Sequence, residues 1–374
     1  MKILTVLGTR PEIIRLSRII ELLDRSSDHV LVHTGQNYDD RLNGLFFREL
    51  GVRTPNIVMN VRATSFAAQA SDILAGIEPI LLSERPDRLL ILGDTNSGLT
   101  AIVARRLGIP VFHLEAGNRC YDDRVPEEIN RRVIDHCSSV LMPYTQRSRE
   151  NLLREGIDGH RIFVTGNPIY QLIQAHDAAI AASGCLAAMR VQAGKYCLVT
   201  MHRAENVDVE EKLQSLVEAM ARIHREFGFP VICSFHPRTR AKVMQFGVDI
   251  ERDGLRFVDP LGFFDFVHLE RSAFCILSDS GTVQEEACIL RVPNVTIREV
   301  TERPETIDCG SNLLSGCDPD DIVRNVKVAT SQSTSWIPPA EYTLPLVAET
   351  VTRIVTGFQL PDLAESEWRR RVRV

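Results

Sequence analysis

The segment Ile276-Leu-Ser-Asp-Ser-Gly-Thr-Val-Gln-Glu-Glu286 runs from an apolar stretch, through small hydroxyl residues and a glycine, into helix-forming residues with two carboxylates. A strand that ends this way at a helix start offers free N–H groups and the positive end of the helix dipole to an anion. Ser280, Gly281 and Thr282 are therefore a candidate phosphate cradle. Glu285 or Glu286, about one turn further on, can accept hydrogen bonds from a ribose, so one segment could hold a nucleotide diphosphate. An ordinary capped helix in a parallel-sheet protein has the same local pattern.

Other chemical residues also follow apolar runs. In Gly8-Thr9-Arg10-Pro11-Glu12 the glycine suits a tight turn, the threonine a cap and the proline a first helical position. Arg10 would then point a guanidinium at an anion near the helix start. A carboxylate at a buried strand end is costly unless it is used or paired. Asp94 in Gly93-Asp-Thr-Asn-Ser97 and Glu115 in His113-Leu-Glu-Ala-Gly117 are two such groups on neighbouring strand ends, facing one crevice. Glu127, in Val125-Pro-Glu-Glu-Ile-Asn-Arg131, adds a third at a helix start. Each alone also fits a cap or a salt bridge. Further on, His202 in Thr200-Met-His-Arg203 and His236 in Ser234-Phe-His-Pro-Arg238 follow strands, as general acids or phosphate partners. Arg303, in Thr301-Glu-Arg-Pro-Glu305, completes the set.

Positioning these groups requires alternating strands and helices. Apolar runs predict strands at 3–7, 30–33, 89–92, 111–114 and 139–142, with helices at 11–24, 38–50, 66–83, 97–107 and 127–136. The pattern restarts after Asn167-Pro168, with strands at 196–200, 231–235, 274–277 and 295–297 and helices at 209–227, 264–270 and 283–290. Residues 166–194 read as a helical connector. The expected class is α/β, with two Rossmann-like doubly wound domains facing across a cleft at the carboxyl ends of their strands. The expected boundaries are 1–167 and 168–344, with a C-terminal helix at about 345–374 packing back on the first domain.

With 374 residues, 44% hydrophobic and 25% charged, the chain has the composition of a soluble two-domain protein. A net charge of −6 gives no nucleic-acid footprint. No apolar run approaches the ~18 residues of a membrane span. Nine scattered cysteines without Cys-x-x-Cys, and a short N-terminal run that meets Gly8, point to reduced thiols in a cytoplasmic protein. No Gly-x-Gly-x-x-Gly, Walker motif, nucleophile elbow or paired-histidine motif occurs, so neither a cofactor nor a metal is expected.

Taken together, these segments resemble the non-hydrolysing UDP-N-acetylglucosamine 2-epimerase family over about residues 2–357. The resemblance rests on Gly8–Glu12, Gly93–Thr95, His113–Gly117, Pro126–Glu128 with Asn130-Arg131, Thr165–Asn167, His202-Arg203, Asp279–Gly281 with Glu285-Glu286, and Thr301–Glu305. Within the family the chain looks most like the UDP-N-acetyl-L-fucosamine synthase branch, through His33-Thr-Gly-Gln-Asn-Tyr-Asp39, Ala116-Gly-Asn-Arg-Cys120 and Pro260-Leu-Gly-Phe-Phe-Asp265. It departs from mainstream epimerases at Arg15, usually Lys, and Asn118, usually Leu.

The resemblance implies a glycosyltransferase-B-like fold and inversion at C2 of a UDP-2-acetamido sugar. UDP leaves to give a 2-acetamidoglycal and then adds back. The implied product is UDP-N-acetyl-L-fucosamine for surface polysaccharide, with UDP-GlcNAc/UDP-ManNAc epimerisation as the alternative. A hydrolysing epimerase and a glycosyltransferase remain rivals. The implied catalytic residues are Asp94, Glu115 and Glu127 for proton transfer and His202 for the leaving group. UDP would be held by Arg10, Gln36, His236, Ser280, Gly281, Thr282, Glu286 and Arg303. The implied partners are a UDP-sugar and, as a homodimer, a second copy of the chain.

Overall fold

The computed structural model describes residues 1–35, 40–63 and 65–359, and Gln36 lies outside them. Two units emerge, one comprising Met1–Leu172 with the chain from Leu344, the other Ile173–Thr343.

In the first unit, β1 (Lys2–Leu7), β2 (Asp28–His33), β3 (Ile57–Val58), β4 (Arg88–Leu92), β5 (Val111–Leu114) and β6 (Val140–Met142) alternate with helices. These are α1 (Arg10–Ser26), α2 (Asp40–Glu49), α3 (Phe66–Glu84), α4 (Thr100–Arg106), α5 (Pro126–Cys137) and α6 (Gln146–Arg154). The sheet is parallel, in the order β3-β2-β1-β4-β5-β6. Its strands are almost continuously apolar because helices cover both faces. On one face Leu4, Val6, Leu89, Ile91 and Val111 meet Ile77 and Leu81 of α3 and Ala101 and Ala104 of α4.

The connector carries α7 (Pro168–Ala175), α8 (Asp177–Ala181) and α9 (Cys185–Ala188). The second unit has β7 (Cys197–Thr200), β8 (Val231–Ser234), β9 (Leu255–Val258), β10 (Cys275–Ser278), β11 (Asn294–Thr296) and β12 (Asn312–Leu314). Its helices are α10 (Ala204–Val207), α11 (Glu210–Phe227), α12 (Pro237–Phe246), α13 (Phe263–Ser272), α14 (Gly281–Leu290), α15 (Pro304–Asp308) and α16 (Pro319–Ser331). This sheet is also parallel, in the order β12-β11-β10-β7-β8-β9. Each sheet therefore reverses direction of winding beside its own first strand, between β1 and β4 and between β7 and β10. Ligands of open α/β sheets bind at such points.

The last helix among the described residues, α17 (Val347–Gly357), lies against α1. Arg88 fixes it by donating to the carbonyls of Val355 and Phe358, at 2.5 and 2.7 Å. Gln171 adds bonds to Glu349 and to the Ala348 N–H. No helix among the described residues is long and apolar enough to cross a membrane.

Three strands escaped the sequence pattern, and all are sheet edges: β3, β9 and β12. An edge strand buries less, so its apolar run is short or broken, as by exposed Arg256 in β9. Helix α16 was missed despite a usable signal. The Asp318 carboxylate before Pro319 caps it, accepting the N–H groups of Asp320 and Asp321.

Candidate functional site

At the end of β1 the chain turns through Gly8 and Thr9 into α1. Gly8 is required by crowding. A Cβ there would lie 2.1 Å from Thr34 Oγ1 and 2.4 Å from Ser97 Oγ. Glu12 organises the turn. Its Oε2 accepts the N–H groups of Gly8 and Thr9, at 3.0 and 2.8 Å, and the Thr9 hydroxyl at 2.8 Å. Its Oε1 accepts the Thr95 hydroxyl at 3.1 Å, tying the ends of β1 and β4 together. Arg10 opens α1 half-buried, its guanidinium 6.0 Å from the centroid of the Phe46 ring.

Burial lifts the Glu12 carboxyl to about 7, in spite of the bonds it accepts. A folded-state pKa above the unfolded value means that the proton is bound more tightly in the native chain. The contribution to stability is complete below about 4.5 and is lost as pH rises through about 7, an effect of about 3 kcal/mol. Urea denaturation between about pH 4 and pH 8 should show this loss in the wild type and not in Glu12→Gln. Identical pH profiles would refute it.

The next strand ends carry the two carboxylates. Asp94 follows Gly93 after β4. Arg131 of α5 holds its Oδ2 from Nε at 2.8 Å and Nη2 at 2.7 Å. Asn130, on the same helix, donates to the Asp94 carbonyl at 3.0 Å. Glu115 follows β5 with φ of +68°, a left-handed conformation that side chains other than glycine seldom adopt. Its Oε1 accepts from Asn118 Nδ2 at 3.3 Å and its Oε2 from the Tyr144 hydroxyl at 3.2 Å. A Cβ at Gly93 would lie 3.6 Å from Glu115 Oε2, so this carboxylate sits against the backbone that carries Asp94. Glu127 lies, partly exposed, in the first turn of α5, one turn before the residues that hold Asp94. The structure thus brings Asp94 and Glu115 together and places Glu127 on the helix that orients Asp94. His113, by contrast, is buried as a brace, with Nδ1 2.8 Å from Asp135 and Nε2 2.9 Å from the Gly93 carbonyl.

In the second unit the switch point joins His202 after β7 to Asp279 after β10. Asp279 is fully buried and accepts the His202 and Arg203 N–H groups, each at 2.9 Å, and Asn206 Nδ2 at 3.3 Å. His202 Nδ1 lies 3.2 Å from Asp279 Oδ1. Burial alone would raise this carboxyl, but the His202 ring and the N–H donors outweigh it and hold it at about 2. His236 caps α12, accepting the Arg238 N–H, and its ring centroid is 5.5 Å from that of His202.

Ser280 is the N-cap of α14, and its N–H is held by Ser278 Oγ at 2.9 Å. Its hydroxyl meets that of Thr282 at 3.0 Å. Gly281 leaves room for its neighbours, since a Cβ there would lie 3.0 Å from Glu302 Oε1 and 3.7 Å from Arg303 Cζ. Arg303 is buried in an ion pair with Glu285. Glu285 is thereby committed to Arg303, and Glu286, one turn beyond Thr282, is 5% exposed. The residue pattern alone leaves those two glutamates open and the family resemblance points to Glu286; neither assigns a role to Asp279, Arg131 or Tyr144.

The model of the UDP-N-acetylglucosamine 2-epimerase family matches residues 21–356. The UDP-N-acetylglucosamine 2-epimerase of Methanocaldococcus jannaschii is 40% identical over 344 residues, covering 90% of this chain and 94% of the relative. A crystal structure of the M. jannaschii UDP-GlcNAc 2-epimerase in complex with UDP-GlcNAc and UDP superposes with a TM-score of 0.91 at 38% identity, over 95% of this chain and 99% of that one. The UDP-2,3-diacetamido-2,3-dideoxy-D-glucuronate 2-epimerase of Pseudomonas aeruginosa is 33% identical, covering 89% of this chain and 93% of its own. The two parallel sheets are of the glycosyltransferase-B-like class. The chain belongs to the UDP-N-acetylglucosamine 2-epimerase family, the non-hydrolysing isomerases that epimerise UDP-N-acetylhexosamines.

Proposed function

We propose that the chain interconverts UDP-GlcNAc and UDP-ManNAc by eliminating UDP and adding it back. Asp94 and Glu115 carry this reading: two oriented carboxylates on adjacent strand ends. Inversion at C2 needs one group to remove a proton and another to deliver one to the opposite face. The C2 proton is weakly acidic, so the departing diphosphate must take much of the charge. His202, His236 and the start of α14 stabilise that charge as it develops, and Arg10 is assigned to UDP from the sequence motif. Glu127 serves the proton transfers with Asp94 and Glu115, and Glu286 binds the ribose hydroxyls. Arg303, paired with Glu285, holds the nucleotide end of the site in shape. Gln36 is assigned to UDP from the sequence motif alone. The M. jannaschii relative, crystallised with UDP-GlcNAc and UDP, supports the choice of nucleotide and sugar.

The second reading is the UDP-N-acetyl-L-fucosamine branch, with UDP-2-acetamido-2,6-dideoxy-L-talose as substrate. Asn118 favours it. This branch-like residue touches Glu115, and a change of sugar would be felt at that carboxylate. The P. aeruginosa relative, named for a different 2-acetamido sugar, supports variation of the sugar on this scaffold. NMR product analysis of both substrates in deuterium oxide tests the two readings together. Each turnover should place deuterium at C2, and the faster substrate identifies the branch. Retention of the original hydrogen at C2 would overturn the mechanism. Free sugar as the end product would indicate hydrolysis instead.

A further inference from the structure

Glu270, in the last turn of α13, is fully buried beside a cluster formed by Leu269, Ile276, Val283 and Ala287. Neither of its carboxyl oxygens meets an N–H or hydroxyl donor. The hydroxyl of Tyr196, which lies near it, is committed to the Leu269 carbonyl. The group that Glu270 faces is another carboxyl, that of Glu286 on the adjoining α14. An ionised carboxylate in such a place is costly, and two carboxyls in contact cannot both be charged. The contact is stable only if the pair shares one proton. Glu270 is the member without solvent access, so the proton resides there. Burial and the charge of Glu286 both raise Glu270 well above the usual carboxyl range.

We propose that Glu270 is a positioning residue for nucleotide binding, its neutral acid donating a hydrogen bond to the Glu286 carboxylate and aiming it at the two ribose hydroxyls of uridine diphosphate. The inference rests on the assignment of Glu286 to the ribose. Without Glu270 the Glu286 side chain would lose a fixed rotamer and a charge-assisted bond. A buried acid kept only for packing would be replaced without consequence for the ligand. Leucine would suit the apolar surroundings better and should stabilise the fold.

The experiment measures the affinities of UDP and of 2′,3′-dideoxyuridine diphosphate by calorimetry for the wild type, Glu270→Leu, Glu270→Gln and Glu286→Gln, with thermal unfolding of each. The wild type should favour UDP by about tenfold or more. Glu270→Leu should lose most of that preference while its melting temperature holds or rises. Glu270→Gln, which still carries a donor, should keep most of it. Should Glu270→Leu fail to fold, Glu270→Met carries the same expectation. A wild type without ribose preference, or a Glu286→Gln variant that retains it, overturns the ribose assignment and this inference with it. A preference that depends on Glu286 but survives in Glu270→Leu or Glu270→Met overturns this inference alone.

Discussion

Replacing Glu115 by Gln should lower turnover by about 10²- to 10⁴-fold, or about 3–5 kcal/mol of barrier, while UDP still binds. The expectation comes from how the side chain is held. A residue other than glycine at φ of +68° costs about 1–2 kcal/mol, and the fold accepts that cost at the carboxyl end of β5. There the carboxylate receives one bond on each oxygen, from Asn118 and from Tyr144. Gln keeps the volume but loses the charge, and its amide nitrogen must face one of those two donors. The variant therefore loses both the charge and its aim. Deuterium incorporation at C2 should fall in parallel with turnover. Asp94→Asn, whose bond from Arg131 is weakened, should in addition release some glycal and free UDP, because re-addition is slowed once elimination has occurred. A Glu115→Gln enzyme within about tenfold of the wild type would remove Glu115 from proton transfer.

The strands that position these groups were legible because parallel strands covered on both faces are written as unbroken apolar runs. Three of the four edge strands, β3, β9 and β12, were not, since they bury too little to leave such a run, whereas the fully buried edge strand β6 was. The strand-end residues were legible for a related reason. In a doubly wound sheet, chemistry gathers at the carboxyl ends, so Arg10, Asp94, Glu115, His202 and Ser280 could be picked out one by one. Their partners could not. Asp279 and His202 are 77 residues apart in sequence and meet only because β10 lies beside β7. Arg131 reaches Asp94 across 37 residues in the same manner. Arg303 shows the same limit. Its guanidinium is buried in an ion pair with Glu285, a pairing that no local pattern reveals. Glu285 and Glu286 look equivalent in the local pattern, where only the family resemblance chose Glu286, and the ion pair of Glu285 with Arg303 gives them different surroundings.

Asp279→Asn should reduce turnover by about 10²- to 10³-fold and also remove part of the acid sensitivity of the fold. The Asp279 carboxylate holds the hydrogen of His202 on Nδ1 and leaves Nε2 as the nitrogen directed away from it. An asparagine that keeps the backbone N–H bonds through its oxygen must present its amide to Nδ1. That reverses the tautomer and takes away the negative charge beside the ring. The histidine then meets the departing diphosphate without the partner that orients it. The stability effect has a definite sign. The folded pKa of about 2 lies below the unfolded value of 3.8, so the carboxylate stabilises the fold above about 3.8 and loses this contribution as pH falls through about 2. The loss is worth about 2 kcal/mol and is absent when residue 279 cannot ionise. Denaturant unfolding at about pH 6 and pH 3 therefore separates the variant from the wild type on a measure independent of catalysis. If turnover fell with the acid profile unchanged, Asp279 would not be the charged anchor of this turn. If the acid profile changed with turnover intact, His202 would not need its aim for the reaction.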